Sequence, residues 1–221
     1  MKAIVILSGG LDSSTLLHYL VKKDGLTPSE VVAISFNYGQ RHLKEIECAK
    51  FQCSELGIEH KIINLSDFMK DYKSALTQNS IDVPNIKDVL GDPQPVTYVP
   101  YRNQLFLTIA CGVAESIGAE QVFFGAQMHD LYGYWDTTKE FVERINEVVS
   151  LNRKNPMVIL APFANFSKAN VAKLAIQLNV DLSHTTSCYN GKEKACGTCP
   201  TCSERIKAFK EIGEKDGVEY G

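Results

Sequence analysis

The chain alternates between short apolar runs and longer stretches whose apolar residues recur at helical spacing. Five apolar runs predict buried β-strands, at 3–7, 31–36, 61–65, 121–124 and 157–160. Five periodic stretches predict α-helices, at 12–23, 43–56, 102–117, 137–150 and 168–178. This alternation indicates an α/β fold in which helices cover both faces of a five-stranded parallel sheet. Such sheets bind ligands at the carboxyl ends of their strands.

Residues 66–97 depart from this alternation. They carry three prolines and one glycine, and their periodicity is weak. A connection of this length inside a compact domain is usually a functional lid or a mobile segment. We therefore expect either a lid over the site or a tolerated insertion.

The composition is that of an ordinary globular protein. Of 221 residues, 44% are hydrophobic and 22% are charged, and the formal net charge is −3. The near-neutral charge argues against a stable nucleic-acid partner. No apolar run approaches the length of a membrane span, so we expect no membrane association. The first apolar run is too short for a signal peptide, so we expect a cytoplasmic protein.

A glycine-rich turn joins the first predicted strand to the first predicted helix. The turn and the residue after it are Ser8, Gly9, Gly10, Leu11, Asp12, Ser13, Ser14 and Thr15. Two glycines let the backbone approach a ligand closely, and the start of a helix offers unpaired N–H groups beside the serine hydroxyls. These features predict a phosphate cradle, although the chain lacks the Walker pattern.

Asp12 makes this cradle dependent on a cation. A carboxylate beside a polyphosphate is repulsive unless a divalent ion bridges the two, so we expect Mg²⁺ between Asp12 and the phosphates. The alternative is that Asp12 or Ser13 only caps the helix. A cap alone leaves the two preceding glycines unexplained.

Four of the seven cysteines cluster near the C-terminus, at Cys188, Cys196, Cys199 and Cys202. An odd number of cysteines without an export signal argues against a disulfide framework. Four thiolates from one local segment suit a closed, structural Zn²⁺ site. An iron–sulfur cluster is the alternative, but the ferredoxin spacing would need a cysteine where Ile206 stands. We therefore divide the chain into an α/β domain at 1–183 and a zinc-binding subdomain at 184–221.

The glycine-rich turn resembles the pyrophosphatase loop of the N-type ATP pyrophosphatases, which split ATP into AMP and pyrophosphate. Three further segments follow in order, FNYGQRH at 36–42, VPYRN at 99–103 and TSCYNG at 186–191. Together with the cysteine cluster, they make the chain similar to the 7-cyano-7-deazaguanine synthase (QueC) family from residue 3 to about residue 209. The resemblance implies the adenine-nucleotide alpha hydrolase-like (HUP) fold with a C-terminal zinc knuckle.

The resemblance also implies an activity. Members of this family convert 7-carboxy-7-deazaguanine to the nitrile with ATP and ammonia, through an acyl adenylate and an amide. No amidotransferase domain fits in the remaining length, so ammonia comes from solution or from a partner. We expect a homodimer. Three alternatives stay open: a relative that stops at the amide or amidates another carboxylate, a tRNA-thiolating enzyme, and a non-enzymatic nucleotide-binding partner.

Four residues outside the turn are expected to contact the nucleotide. Phe36 and Tyr38 flank its adenine, unless they only pack in the core. Arg102 stands at the start of a helix, where a cation opposes the helix dipole, and this indicates an anion nearby, the polyphosphate or the adenylate. Asn103 binds the nucleotide beside it or caps the helix. We expect Asp12 and Arg102 to be the catalytic residues.

A polar cluster after the second strand is expected to contact the substrate. It consists of Gln40, Arg41 and His42. Arg41 would contact a phosphate or a carboxylate, because its planar guanidinium matches either anion. A solvated helix start is the alternative.

A second substrate-binding segment follows the fourth strand. The chain reads GYWDTT at 133–138, where the family typically has G-Y-P-D-C-R. We expect Asp136 or Asp130 to accept hydrogen bonds from the N1–H and amino edge of the guanine-like ring. Tyr134 or Trp135 would stack on the face of that ring.

Overall fold

In the computed structural model, which describes residues 2–92, 94–127 and 134–221, five strands form one parallel sheet. The strands are β1 (Lys2–Ile6), β2 (Val31–Asn37), β3 (Glu59–Asn64), β4 (Ala119–Phe123) and β5 (Val158–Leu160). Their order in the sheet is β3-β2-β1-β4-β5, and each neighbouring pair is parallel. The predicted five-stranded α/β sheet is confirmed.

Helices connect and follow these strands. Over the described residues the α-helices are α1 (Leu11–Lys22), α2 (Lys44–Leu56), α3 (Ser66–Met69), α4 (Arg102–Ile117), α5 (Lys139–Val149), α6 (Lys168–Gln177) and α7 (Pro200–Ile212). Short 3₁₀ helices lie at Pro28–Glu30, Ile86–Asp88, Trp135–Thr137 and Leu182–His184. None of the helices in the described ranges has the length and apolar character needed to cross a bilayer.

Side chains that alternate along the central strand β1 enter two different core layers. Ala3 and Val5 pack with residues of α1, α6 and α7 on one face of the sheet. Ile4 packs with residues of α4 and α5 on the other face. All three side chains are fully buried, as expected for a strand covered on both sides. The sheet is therefore covered by helices on both faces, as predicted.

Helix α7 adds an element that the apolar periodicity does not predict. Pro200 stands in its first turn, and Gly213 ends it in the left-handed backbone conformation, both ordinary helix signals. Ala208 and Phe209 on α7 are buried in the core layer that contains Ala3 and Val5 of β1. The division of the chain at residue 183 stays a prediction, but α7 joins the C-terminal part to the main core.

Residues 66–97 pack against the second core layer. Met69 and Leu76 are buried there among residues of α4 and β2. Arg41 holds the segment from the end of β2, because its guanidinium donates to the carbonyls of Gln78 at 2.5 Å and Ile81 at 2.6 Å. A lid function for this segment stays a prediction.

Candidate active site

A cavity of about 260 Å³ opens at the carboxyl edge of the sheet. It lies where the ends of β1, β2 and β4 meet the start of α4, the start of α6 and the chain that leads into α7. Predicted site residues that line it are Ser8, Gly10, Asp12, Ser13, Phe36, Tyr38, Gln40, His42, Arg102, Asn103 and Tyr134. Segments far apart in sequence therefore converge on one site.

The glycine-rich turn is held by hydrogen bonds to its own serines and packs closely against α2. The Ser8 backbone N–H donates to Ser13 Oγ at 3.1 Å, and the Gly10 N–H donates to Ser8 Oγ at 3.2 Å. Gly9 has φ +85°, and a Cβ there would collide with the carbonyl oxygen of Glu45 on α2. Only glycine fits this position, so the turn reaches the start of α1 with its backbone exposed to the cavity.

Asp12 has one carboxylate oxygen paired and one unpaired. Lys168 Nζ, at the start of α6, donates to Asp12 Oδ2 at 2.7 Å. Asp12 Oδ1 is buried and has no hydrogen-bond partner among the described residues. A buried carboxylate oxygen without a partner, beside a lysine and free helix N–H groups, suits a divalent cation that bridges to phosphate.

Three other members of the turn point away from the cavity. The Leu11 side chain is in the core, and the Thr15 hydroxyl donates to the Leu11 carbonyl at 2.6 Å. The Ser14 side chain is fully buried. These residues reach a ligand only through backbone groups, whereas side-chain contacts were expected of the serine hydroxyls.

Aromatic residues and Arg102 form the wall of the cavity beside β2. Phe36 stacks on Phe106 with ring centroids 4.0 Å apart, so it is a core residue with an edge at the cavity. Arg102 Nη1 donates to the Tyr38 hydroxyl at 3.1 Å. Burial raises the pKa of Tyr38 although Arg102 opposes this, so Tyr38 is neutral and the half-buried Arg102 brings a positive charge to the site.

Asp136 neutralises the start of α4 instead of facing the cavity. Its side chain is 3% exposed and is absent from the cavity wall among the described residues. Burial raises its pKa, while the Arg102 charge and hydrogen bonds from the Asn103 backbone and side chain oppose the rise. An acidic group at a helix start is favourable, and here it also offsets the unfavourable position of Arg102. The expected contact with a guanine-like edge is not what this geometry favours.

The three polar residues after β2 make different contacts. Gln40 fixes its own turn, because its side chain accepts from the Tyr38 N–H at 2.8 Å and donates to the Phe36 carbonyl at 3.0 Å. Arg41 binds the 66–97 segment as described above and lies off the cavity wall. His42 lines the cavity, and its Nε2 lies 3.1 Å from the Glu45 carboxylate. Of the three, only Gln40 and His42 line the cavity.

The segment after β4 is described from Tyr134 onward, so Asp130 lies outside the described residues. Tyr134 lines the cavity, and its hydroxyl lies 2.8 Å from Thr97 Oγ1. Trp135 is 37% exposed and belongs to a separate surface groove that includes Tyr98 and Tyr101. Of the two aromatic candidates, the structure thus brings Tyr134, but not Trp135, to the cavity.

The four clustered cysteines are close enough to share one ion. Their sulfur atoms lie within 4.8 Å of one another, and a tetrahedral zinc site needs sulfurs about 3.8 Å apart. Hydrogen bonds from the Cys199 and Cys202 thiols hold the pKa of Cys188 well below its usual range. Three of the four side chains are buried, and Cys196 is half-buried. The set therefore forms a candidate metal centre beside the cavity.

Several cavity residues were not predicted from the sequence. They are Glu45, Lys168, Thr186, Ser187, Tyr189, Thr201, Glu204 and Arg205. Lys168 was signalled only by its place after β5, at the same sheet edge as the other site residues. Arg205 has no such signal because α7 itself was not predicted. It is 2% exposed and forms two 2.8 Å hydrogen bonds to the Asp216 carboxylate.

Solved structures share the fold. A U34-tRNA thiolase from Methanococcus maripaludis, solved with its [4Fe-4S] cluster, superposes with a TM-score of 0.52 at 17% identity, covering 96% of this chain and 65% of the thiolase. An NMN synthetase from Francisella tularensis superposes with a TM-score of 0.53 at 14% identity, covering 97% and 78%. At these identities the likeness concerns the fold alone.

Curated relatives are similar over their whole length, and each of the following is named a 7-cyano-7-deazaguanine synthase. The protein of Caldicellulosiruptor saccharolyticus is 44% identical, covering 100% of this chain and 96% of the relative. The protein of Methanoregula boonei is 42% identical, covering 100% and 99%. That of Colwellia psychrerythraea is 41% identical, covering 99% and 98%.

The family model described as queuosine biosynthesis protein QueC matches residues 2–213. This match covers nearly the whole chain, and the full-length relatives agree with it. The chain belongs to the QueC family of queuosine biosynthesis proteins.

Proposed function

We propose that this chain is an ATP-dependent carbon–nitrogen ligase that converts 7-carboxy-7-deazaguanine and ammonia into 7-cyano-7-deazaguanine. The relatives' shared name supports the reaction. The observation that carries the proposal is the cavity itself. It joins the glycine-rich turn, a half-buried arginine and a lysine at one sheet edge, and adenylation of a carboxylate requires such donors and positive charges.

The reaction needs two adenylations. The substrate carboxylate attacks the α-phosphorus of ATP, and pyrophosphate leaves, giving an acyl adenylate. Ammonia attacks the acyl carbon, a proton is lost and AMP leaves with one carboxylate oxygen, giving the amide. The amide oxygen then attacks a second ATP and pyrophosphate leaves. Loss of both N–H protons and of AMP, which carries the amide oxygen away, leaves the nitrile.

The glycine-rich turn is proposed to hold the pyrophosphate part of ATP. Its helix N–H groups and the Ser8 and Ser13 hydroxyls donate to phosphate oxygens. Asp12, with its unpaired Oδ1, would hold Mg²⁺, which when bound neutralises phosphate charge. Lys168 is placed to stabilise pyrophosphate as it leaves, because its ammonium already lies at Asp12.

Arg102 is proposed to act on the anionic groups at the reacting centre. Its guanidinium is half-buried and fixed by the Tyr38 hydroxyl, so it need not reorganise when charge develops on the α-phosphate. Neutral Tyr38 and the edge of Phe36 form an apolar wall that suits the adenine ring. No protein nucleophile is needed, since positioning and charge neutralisation drive the displacement.

The cysteine cluster is proposed to hold a structural Zn²⁺. Four thiolates leave no open coordination position, and the adjoining residues Thr186, Ser187 and Tyr189 line the cavity. The ion would therefore fix one wall of the site. An iron–sulfur centre is the alternative, since four sulfur ligands also suit one, and metal analysis with an absorption spectrum separates the two.

We further propose a cytoplasmic homodimer. The cysteines Cys48, Cys53 and Cys111 are free thiols, which suits a reducing compartment. Exposed Val148, Leu151 and Val158 lie on or beside α5 and β5, at one edge of the sheet, and provide an apolar surface for a second copy. Light scattering after size-exclusion chromatography would measure the mass in solution.

A pyrophosphate-release assay tests the function. The enzyme, Mg²⁺ and ATP are mixed with 7-carboxy-7-deazaguanine, with and without ammonia. We expect release with the compound, multiple turnover only with ammonia, and a nitrile by mass spectrometry. An amide as the final product would show a relative that stops early. Absence of release with this compound would refute the proposed substrate.

A further inference from the structure

A hydrogen bond joins the Trp135–Thr137 3₁₀ turn to the segment before α4, on the outer side of the cavity. Tyr134, just before the turn, faces the cavity, whereas Trp135 lies in the neighbouring surface groove. Tyr134 and Trp135 are adjacent in sequence, yet one lines the cavity and the other lines the groove beside it. Trp135 contacts Tyr98, and Tyr98 in turn contacts Tyr134.

Tyr134 is positioned by residues 97 and 98. Its hydroxyl lies 2.8 Å from Thr97 Oγ1, and Thr97 is buried. Its ring stacks with that of Tyr98 at 6.2 Å between centroids and 22° between planes. The orientation of Tyr134 thus depends on where Tyr98 stands.

Tyr98 is in turn fixed by Trp135. The indole N–H of Trp135 donates to the Tyr98 hydroxyl at 3.0 Å, and the Tyr101 backbone N–H donates to the same oxygen at 3.0 Å. The indole ring meets Tyr101 and Phe141 edge-on, each at 5.4 Å between centroids. We call Thr97, Tyr98, Tyr134 and Trp135 the aromatic latch.

The neighbouring threonines support the same turn. Thr137 Oγ1 donates to the Tyr134 carbonyl at 2.9 Å. Thr138 caps α5, because its hydroxyl accepts from the Phe141 N–H at 3.1 Å. Trp135, Thr137 and Thr138 therefore act together to shape the turn, and each makes a contact that depends on its own side chain.

The strand order bears on which ligand would lie beside Tyr134. The glycine-rich turn follows the central strand β1. Phe36 and Tyr38, which form the wall proposed for adenine, lie at the end of β2, the neighbour of β1 on one side. Tyr134 comes from the connection after β4, on the other side of β1. If ATP spans β1 and β2, the second substrate lies on the β4 side of β1, the side of the connection that carries Tyr134.

We propose that Trp135 and Tyr98 are positioning residues that hold the Tyr134 ring against the aromatic ring of the carboxylate substrate. This inference rests on the proposed function. Trp135 does not touch the substrate; it acts through the hydroxyl of Tyr98. Disruption of the latch should therefore lower the affinity for the deazaguanine and leave the affinity for ATP unchanged.

Two conservative variants test the inference. Trp135→Phe removes the N–H donor and keeps a ring, and Tyr98→Phe removes the acceptor and keeps the stack. Trp135→Phe should raise the KM for 7-carboxy-7-deazaguanine about fivefold, the effect of one lost hydrogen bond, with the KM for ATP within about twofold. Tyr98→Phe should raise it at least as much, because it also removes the acceptor of the Tyr101 backbone N–H. The double variant should match Tyr98→Phe, because that variant already lacks the bond to the indole.

Tyr101→Phe is the matched control. It keeps the ring that contacts Trp135, and its own hydroxyl makes no hydrogen bond to the part of the chain that the structure describes, so both KM values should stay unchanged. Trp135 is also the single tryptophan of the chain. The emission spectrum of Tyr98→Phe should therefore differ from that of the wild type before any ligand is added, and that of Tyr101→Phe less so.

The outcomes separate the inference from the proposed function. Turnover by the wild type with unchanged KM values in both variants would overturn the inference alone. Equal rises of the two KM values would also overturn it, since they would indicate general damage to the fold. Absence of turnover by the wild type would overturn the proposed function and the inference with it. A rise confined to the deazaguanine supports the latch.

Discussion

Removal of Asp216 should destabilise the protein strongly, because it leaves a buried arginine without its counter-charge. Arg205 is 2% exposed and the Asp216 side chain is 8% exposed. The carboxylate accepts two hydrogen bonds from this guanidinium and a third from the Tyr220 hydroxyl at 2.6 Å. The pair joins α7 to the final residues of the chain beside the cavity.

The expected magnitude follows from this burial. Breaking a buried ion pair by removing one partner costs about 3–5 kcal/mol, far more than the pair's net contribution, because the remaining charge stays desolvated. In a chain of this size each kcal/mol lowers Tm by about 2–4 °C. Asp216→Ala should therefore lower Tm by about 10 °C. Urea unfolding of the metal-loaded protein should show a matching loss of free energy of unfolding.

Glu219→Ala is the control on the same segment. Glu219 pairs with Lys194 at 3.3 Å, and these side chains are 79% and 62% exposed. An exposed pair of this kind contributes about 0–1 kcal/mol, so the variant should unfold almost like the wild type. If Asp216→Ala and Glu219→Ala shifted Tm equally, the argument from buried charge would be refuted.

Three further predictions concern the catalytic, metal and core residues. Asp12→Asn should abolish pyrophosphate release with Tm almost unchanged, since it removes charge and keeps shape; normal turnover would exclude the proposed cation role. Cys199→Ser should lose the bound metal and unfold at lower temperature, because metal binding and local folding are coupled; retained zinc by elemental analysis would contradict this. Burial lowers the pKa of His18 from 6.5 to about 4. The unfolded chain then takes up this proton first as the pH falls, so stability is present above pH 6.5 and falls by about 2 kcal/mol between pH 7 and pH 5. His18→Gln should lose this part of the pH dependence in urea unfolding, and an unchanged dependence would show that His18 is not its source.

The fold and the glycine-rich turn between β1 and α1 could be predicted because their signals are local. Short apolar runs mark the strands, and the turn from Ser8 to Ser14 carries its glycines, helix start and serines in one short stretch. The cysteine cluster is equally local, since all four cysteines fall within 15 residues. Each of these features depends on contacts that the neighbouring sequence already specifies.

The remaining site residues depend on contacts between distant segments. Arg41 is a plausible anion contact by residue type, but its partners are carbonyls of Gln78 and Ile81, which no sequence pattern marks. Asp136 has the right chemistry for a guanine edge, yet its partner Asn103 lies across the fold at the start of α4. Arg205 lies on an unpredicted helix. The residue types indicated which chemical groups the site could use, but packing between distant segments determined which of those groups reach the cavity.

Oxygen-isotope transfer tests the central claim most directly. The enzyme is given 7-carboxy-7-deazaguanine labelled with oxygen-18 in both carboxylate oxygens, together with ATP, ammonia and Mg²⁺, and the products are analysed by mass spectrometry. Two adenylations predict an oxygen-free nitrile and two AMP molecules for each nitrile, each AMP carrying one labelled oxygen. A labelled amide with a single labelled AMP, or label found in inorganic phosphate with ADP as the other product, would contradict the account.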